Sequence, residues 1–110
     1  MPATQCVWIY LILAGLFEIG WPVGLKMAQT PGRTMVGITM AVVCMAVSGL
    51  LLWLAQKAIP MGTAYAVWTG IGAAGTFALG VALHGDPANL MRILGVMLII
   101  GGVVTLKLAS

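Results

Sequence analysis

An all-α membrane protein with four transmembrane helices is what this sequence predicts, on three observations. Hydrophobic residues make up 62% of the 110, charged residues only 6%, and the mean hydropathy is +1.13, well outside the range of soluble domains. Apart from Glu18, the few charges fall singly between apolar runs or at their ends, and each run is close to the roughly 20 residues that a helix needs to cross hydrocarbon. Stretches bearing Pro, Gly or both, QTPGRT, QKAIPMG and HGDPAN, separate the runs. The expected helices are 3–27, 34–56, 61–83 and 90–108, within one domain covering 1–110.

The first run, Ala3 to Leu25, is uncharged except for Glu18 and apolar from Cys6 onward apart from that acid. A secretory signal would have a basic start and a small-residue cleavage pattern, and this run has neither, so a retained helix is expected. Residues 34–56, between Arg33 and Lys57, carry no charge at all, and a second charge-free run ends at Leu83. The last run has Arg92 and Lys107 at its two ends, where long side chains reach the interface. Four crossings bring both chain ends to one membrane face, here called side A, and leave side B opposite. Trp8 and Trp53 then both fall near side A, as interface aromatics do. Side A has Lys57 and Lys107 and side B has Lys26, Arg33 and Arg92. Two against three is almost no bias, and the expectation that follows is insertion in both orientations.

The composition also excludes. A net charge of +3 comes from scattered residues with no basic run, so nucleic acid is not an expected partner. Cys6 and Cys44 lie inside apolar runs and read as small buried side chains, not a disulfide. No metal and no cofactor is expected, since His84 is the single histidine and has no ligand cluster beside it. An enzyme is not expected either, because Ser48 and the cysteines lack a histidine at their depth.

That leaves Glu18, an acid among Leu16, Phe17, Ile19 and Trp21. At a rise of about 1.5 Å per residue it lies about 15 Å beyond Trp8, near the bilayer midplane. An acid there costs about 2.5–3.5 kcal/mol on insertion scales and normally faces protein or a wet cavity. Leu11, Gly15, Glu18, Trp21, Pro22 and Leu25 share one stripe of the helix. Pro22 has no N–H to return to the Glu18 carbonyl, which favours a kink or a water beside the acid. The same depth measure brings Ser48 and Trp68 near Glu18, with Tyr65 shallower on the face of Trp68. Gly70, Gly72 and Gly75 weaken the third helix locally and allow close approach, so that helix is a candidate hinge or a close-packing surface. Gly95 and Gly102 lie on one stripe of the fourth helix, a packing surface for a second copy of the chain.

A transporter needs a site that opens alternately to two sides, which larger proteins build from inverted repeats. Two copies of this chain in opposite orientations recreate such a pair and bring two Glu18 carboxyls together. Carboxyls paired away from water take up protons and can exchange them for a cation.

Three stretches carry a family resemblance: IPMGTAYAVWTGIG at 59–72, GDPANLMR at 85–92 and GLFEIGWPVGLK at 15–26. Over essentially its full length the chain resembles the small multidrug resistance family, in its guanidinium-exporter branch. The resemblance implies an antiparallel, dual-topology homodimer in the bacterial inner membrane, exchanging protons for small organic cations. It implies that Glu18 binds proton or substrate, that Trp21, Ser48, Tyr65 and Trp68 form the pocket, and that Gly70 and Gly72 match the bend of the third helix. It also implies that Gly95 and Gly102 mark the dimerising helix. Trp21 points to the guanidinium branch over the branch exporting quaternary ammonium and other hydrophobic cations, which usually has a small residue there. Guanidinium is planar with paired N–H donors, suited to a carboxylate and an indole face. A small structural or regulatory membrane subunit and a passive channel are the readings from other classes.

Overall fold

The structure, a computed structural model, describes residues 3–109, with side chains from Cys6 onward. Residues 1, 2 and 110 of the expected domain lie outside the described residues. Four helices follow in order: α1 (Ala3–Ala28), α2 (Thr34–Ala55), α3 (Met61–His84) and α4 (Leu90–Ala109). All four are long and apolar enough to cross a membrane, and there is no strand among the described residues. The protein is a multi-pass membrane protein of the all-α class.

Local chemistry sets the ends. Gly32 takes φ 84° in the first connection, a conformation that a side chain disfavours. The Thr34 hydroxyl then donates to the Ala28 carbonyl at 3.0 Å, which satisfies one free acceptor at the end of α1. Pro60 stands at the N-cap of α3, where its missing N–H costs nothing. At the other end of α3, Gly85 adopts φ 66° and the Asp86 N–H donates back to the Gly80 carbonyl at 3.1 Å. This left-handed cap turns the chain sharply. Asn89 opens α4, its side-chain oxygen accepting from the Arg92 N–H at 2.9 Å.

α1 is the central helix, packed between α2 and α3, while the backbone of α4 approaches only α3. The two ends of the bundle hold together differently. Near side A, Val7, Trp8, Leu11, Ala55, Ile59, Ala64 and Val67 form an apolar cluster, with Val103 and Leu106 of α4 resting against it. Near side B, α1 crosses α2 almost backbone to backbone: a Cβ on Gly24 would come 2.7 Å from the Gly37 carbonyl oxygen. Glycine is required on both helices for that approach.

The side A aromatics and the cysteines pack as follows. Trp8 does not face outward but is 5% exposed within the side A cluster, with the Lys107 ammonium 4.7 Å from its ring centroid. Trp53 is 59% exposed, with the Lys57 ammonium 4.9 Å from its ring. The difference arises because position 8 faces the crowded centre of the bundle and position 53 faces outward. Cys6 and Cys44 are free thiols, but half-buried instead of buried, because α1 and α2 each have an outward face.

Candidate functional site

α1 supplies the acid of the site. Glu18 is half-buried, and its side chain turns onto α3, where an added Cβ at Gly72 would come 2.7 Å from its Cγ. Gly72 is therefore the seat of the acid. One turn along α1, the Trp21 indole Nε1–H donates to Glu18 Oε1 at 2.5 Å. Spacing of three on a helix puts the two side chains on one face, and the tryptophan N–H meets the carboxylate directly.

α2 reaches the other oxygen, with α3 bonded behind it. Ser48, fully buried, has its Oγ 3.2 Å from Glu18 Oε2 and 2.7 Å from the Ala14 carbonyl oxygen. The Trp68 Nε1–H donates to the same Oγ at 2.8 Å. A hydroxyl has one hydrogen and two lone pairs, and Trp68 occupies one lone pair. Ser48 can then give its hydrogen to Glu18 or to Ala14, but not fully to both. With Glu18 ionised the hydrogen turns to the carboxylate. With Glu18 protonated it turns to Ala14, and the acid can donate to the second lone pair. The network thus accepts Glu18 in either state without leaving a buried polar atom unpaired, and none is unpaired among the described residues.

Tyr65 joins this group only through its ring, 5.4 Å from that of Trp68 and tilted by 58°, and it is 56% exposed. Pro22 does not break α1, which stays one helix from Ala3 to Ala28. Beside it lies a pocket of about 240 Å³ lined by Glu18, Trp21, Pro22, Thr69, Gly72, Ala73 and Thr76. Sequence reasoning missed Thr69 and Thr76; their spacing of three and four from Gly72 was the available signal. It also missed Ala14, whose contribution is a backbone carbonyl and leaves no mark in a sequence. Gly70 does not face the acid: an added Cβ there would meet Val103 of α4. Gly95 and Gly102 are exposed, with nothing within 4 Å of an added Cβ.

The half-buried carboxylate thus meets one indole N–H and a hydroxyl directly, with the second indole N–H behind that hydroxyl, and it opens on a small pocket at mid-helix depth. Comparison with known proteins identifies the family. The model of the Small Multidrug Resistance protein family matches residues 6–99. The chain belongs to the small multidrug resistance family. Within it, the chain is 52% identical over 103 residues to a protein named guanidinium exporter from Yersinia pseudotuberculosis, covering 94% of this chain and 98% of that one. It is 47% identical over 106 residues to the guanidinium exporter of Escherichia coli (strain K12), covering 94% and 97%. For the guanidinium exporter of Salmonella typhimurium the identity is 45% over 106 residues, with the same coverage. These small multidrug resistance relatives are named as exporters.

Proposed function

We propose that this chain exports guanidinium and small substituted guanidinium cations across the bacterial inner membrane in exchange for protons. Glu18 holds proton or cation in turn, and the working unit is an antiparallel homodimer. The observation that carries the reading is the Glu18 carboxylate, held by Trp21 and Ser48 on one side and open to the pocket on the other. One carboxylate cannot hold a proton and a cation equally well at once. Loading one releases the other, and that competition couples the two flows. Trp21, Tyr65 and Trp68 supply aromatic faces around the cation, while the two indole N–H groups hold Glu18 and Ser48 in place. Bending near Gly70 and Gly72 turns the pocket from one membrane face to the other. The relatives' name supports guanidinium as the substrate.

The dimer is supported by α4, which has no buried residue, and by the near balance of Lys and Arg between the two faces. Cysteines placed at the C-terminus are expected to label from both membrane faces, and labelling from one face alone rules out the antiparallel unit. Adding two or three Lys to a single side should lock the topology.

The decisive experiment is uptake into proteoliposomes under an imposed pH gradient, with guanidinium and with a quaternary ammonium. Guanidinium uptake driven by the gradient is expected. Preference for the quaternary ammonium identifies the broader multidrug exporter instead. Flux without proton coupling identifies a channel, and no flux of either cation identifies a structural subunit.

A further inference from the structure

Both acids of this chain lie against a glycine of α3. Glu18 rests over Gly72, and an added Cβ at Gly80 would collide with the Asp86 carboxyl. The reversal at Gly85 explains the second contact, because the bond from the Asp86 N–H to the Gly80 carbonyl folds Asp86 back along the helix. Positions 72, 76 and 80 are four apart and form one face of α3. Gly72 and Gly80 are separated by eight residues, about 12 Å along the axis.

Two pockets occupy that face. The first is the Glu18 pocket, and the second, of about 170 Å³, is lined by Pro22, Val23, Lys26, Thr76, Gly80, His84 and Asp86. Pro22 and Thr76 line both. The two spaces therefore adjoin and lead from the midplane acid toward side B, past a threonine and a proline, with the polar side chains at the outer end. Lys26 lines the outer pocket with Asp86 but forms no ion pair with it.

Resting on the guanidinium reading of Glu18, we propose that Asp86 is an outer binding station, which holds the cation transiently between the Glu18 pocket and the water on side B. A cation leaving Glu18 directly for bulk water must regain its whole hydration shell in one step. An exposed carboxylate part-way offers a hydrated intermediate stop. The station must also be shallow, since passage through successive sites requires each to bind weakly enough to release. Lys26 meets that need: its ammonium shares the pocket, offsets the field of Asp86 and competes for it. In the antiparallel dimer each membrane face carries one such station, so entry and exit are served alike.

The test uses the full chain in proteoliposomes, with initial rates of guanidinium uptake at low and high ionic strength. Exposed ion pairs of this kind correspond to about a 1.5- to 5-fold change in affinity. Asp86→Asn should raise KM for guanidinium by that factor, leaving the saturated rate and the proton-to-cation ratio unchanged. Asp86→Glu should restore most of the loss. Gly80→Ala, which displaces the carboxyl but keeps its charge, should move KM the same way as Asp86→Asn. The difference between wild type and Asp86→Asn should shrink as salt is added. Lys26→Gln should lower KM, with orientation checked by labelling because a topology-setting charge is lost. A wild-type KM in Asp86→Asn, or a rise that salt does not diminish, overturns the station and leaves the Glu18 reading standing. A fall in the saturated rate together with loss of the dimer assigns Asp86 to structure and also overturns it. A wild-type protein that moves no guanidinium overturns both.

Discussion

α1 and α4 have the same texture in sequence, apolar helices with glycines spaced along them, yet the fold treats them oppositely. Each of Gly15, Gly20 and Gly24 of α1 is filled from within the chain, by Ile71, by Cys44 and by the backbone of Gly37 and Ala41. Gly95, Gly101 and Gly102 of α4 meet nothing within 4 Å of an added Cβ. α1 buries Val7, Trp8, Leu11 and Ala14, and α4 buries none of its residues. A glycine notch in α1 admits a neighbour of the same chain, and in the dimer proposed above those of α4 would admit the partner copy. Glycine content alone does not tell the two helices apart.

The largest expected effect removes what α1 holds and α4 lacks. Glu18→Gln keeps the shape of the side chain but not the exchangeable proton, and proton-driven guanidinium uptake should be abolished while the dimer persists. Wild-type guanidinium binding should weaken as pH falls, because a protonated carboxyl no longer attracts a cation, and binding in Glu18→Gln should be flat with pH. Retained pH-driven uptake in the variant would move the coupling to another group.

A second pair of substitutions tests the two uses of glycine. A Cβ on Gly37 would run into the backbone of Ala28 and Gly24, and overpacking of this kind costs about 1–3 kcal/mol or more. Gly37→Leu should therefore lower the melting temperature of the protomer in detergent. Gly95→Leu should leave the melt of the protomer unchanged and convert dimer to monomer in size-exclusion chromatography. Equal loss of fold in both variants would remove the distinction between the helices.

The smallest effect concerns selectivity. Cation–π contacts are worth about 0.5–2 kcal/mol, so Trp21→Ala should weaken guanidinium several-fold to tens-fold. A quaternary ammonium should lose less, so the ratio of the two affinities shifts; paired binding measurements on both cations read it. A uniform loss for both would make Trp21 a support of the carboxylate, through the indole N–H bond to Glu18, not a selector.

Four helices were legible because apolar runs of membrane-crossing length are broken by turn residues, and the bilayer forces such runs to be helical. The neighbourhood of Glu18, Trp21, Ser48 and Trp68 was legible from rise and spacing, since helices crossing one slab share a depth scale. What could not be read was direction around the helix axis. Trp8 and Trp53 look alike in sequence, and only the packing of neighbours makes one buried and the other exposed. Gly70 and Gly72 are two residues apart and so face different partners, α4 and Glu18. Thr69 and Thr76 are ordinary residues for a membrane helix until Glu18 stands opposite them. Asp86 reaches Gly80 through the turn at Gly85, a contact that depends on a backbone angle no spacing rule encodes.

The separation of α4 from the Glu18 network has a genetic consequence. In the antiparallel dimer proposed above, a defective site with an intact α4 still pairs with healthy copies and spoils them. Glu18→Gln should accordingly be dominant when both forms are made in one cell: with equal supply, random pairing leaves about a quarter of dimers fully wild type. A lesion confined to α4 withdraws the damaged copy from pairing, so its phenotype is recessive. The position of a substitution along the chain then decides its dominance.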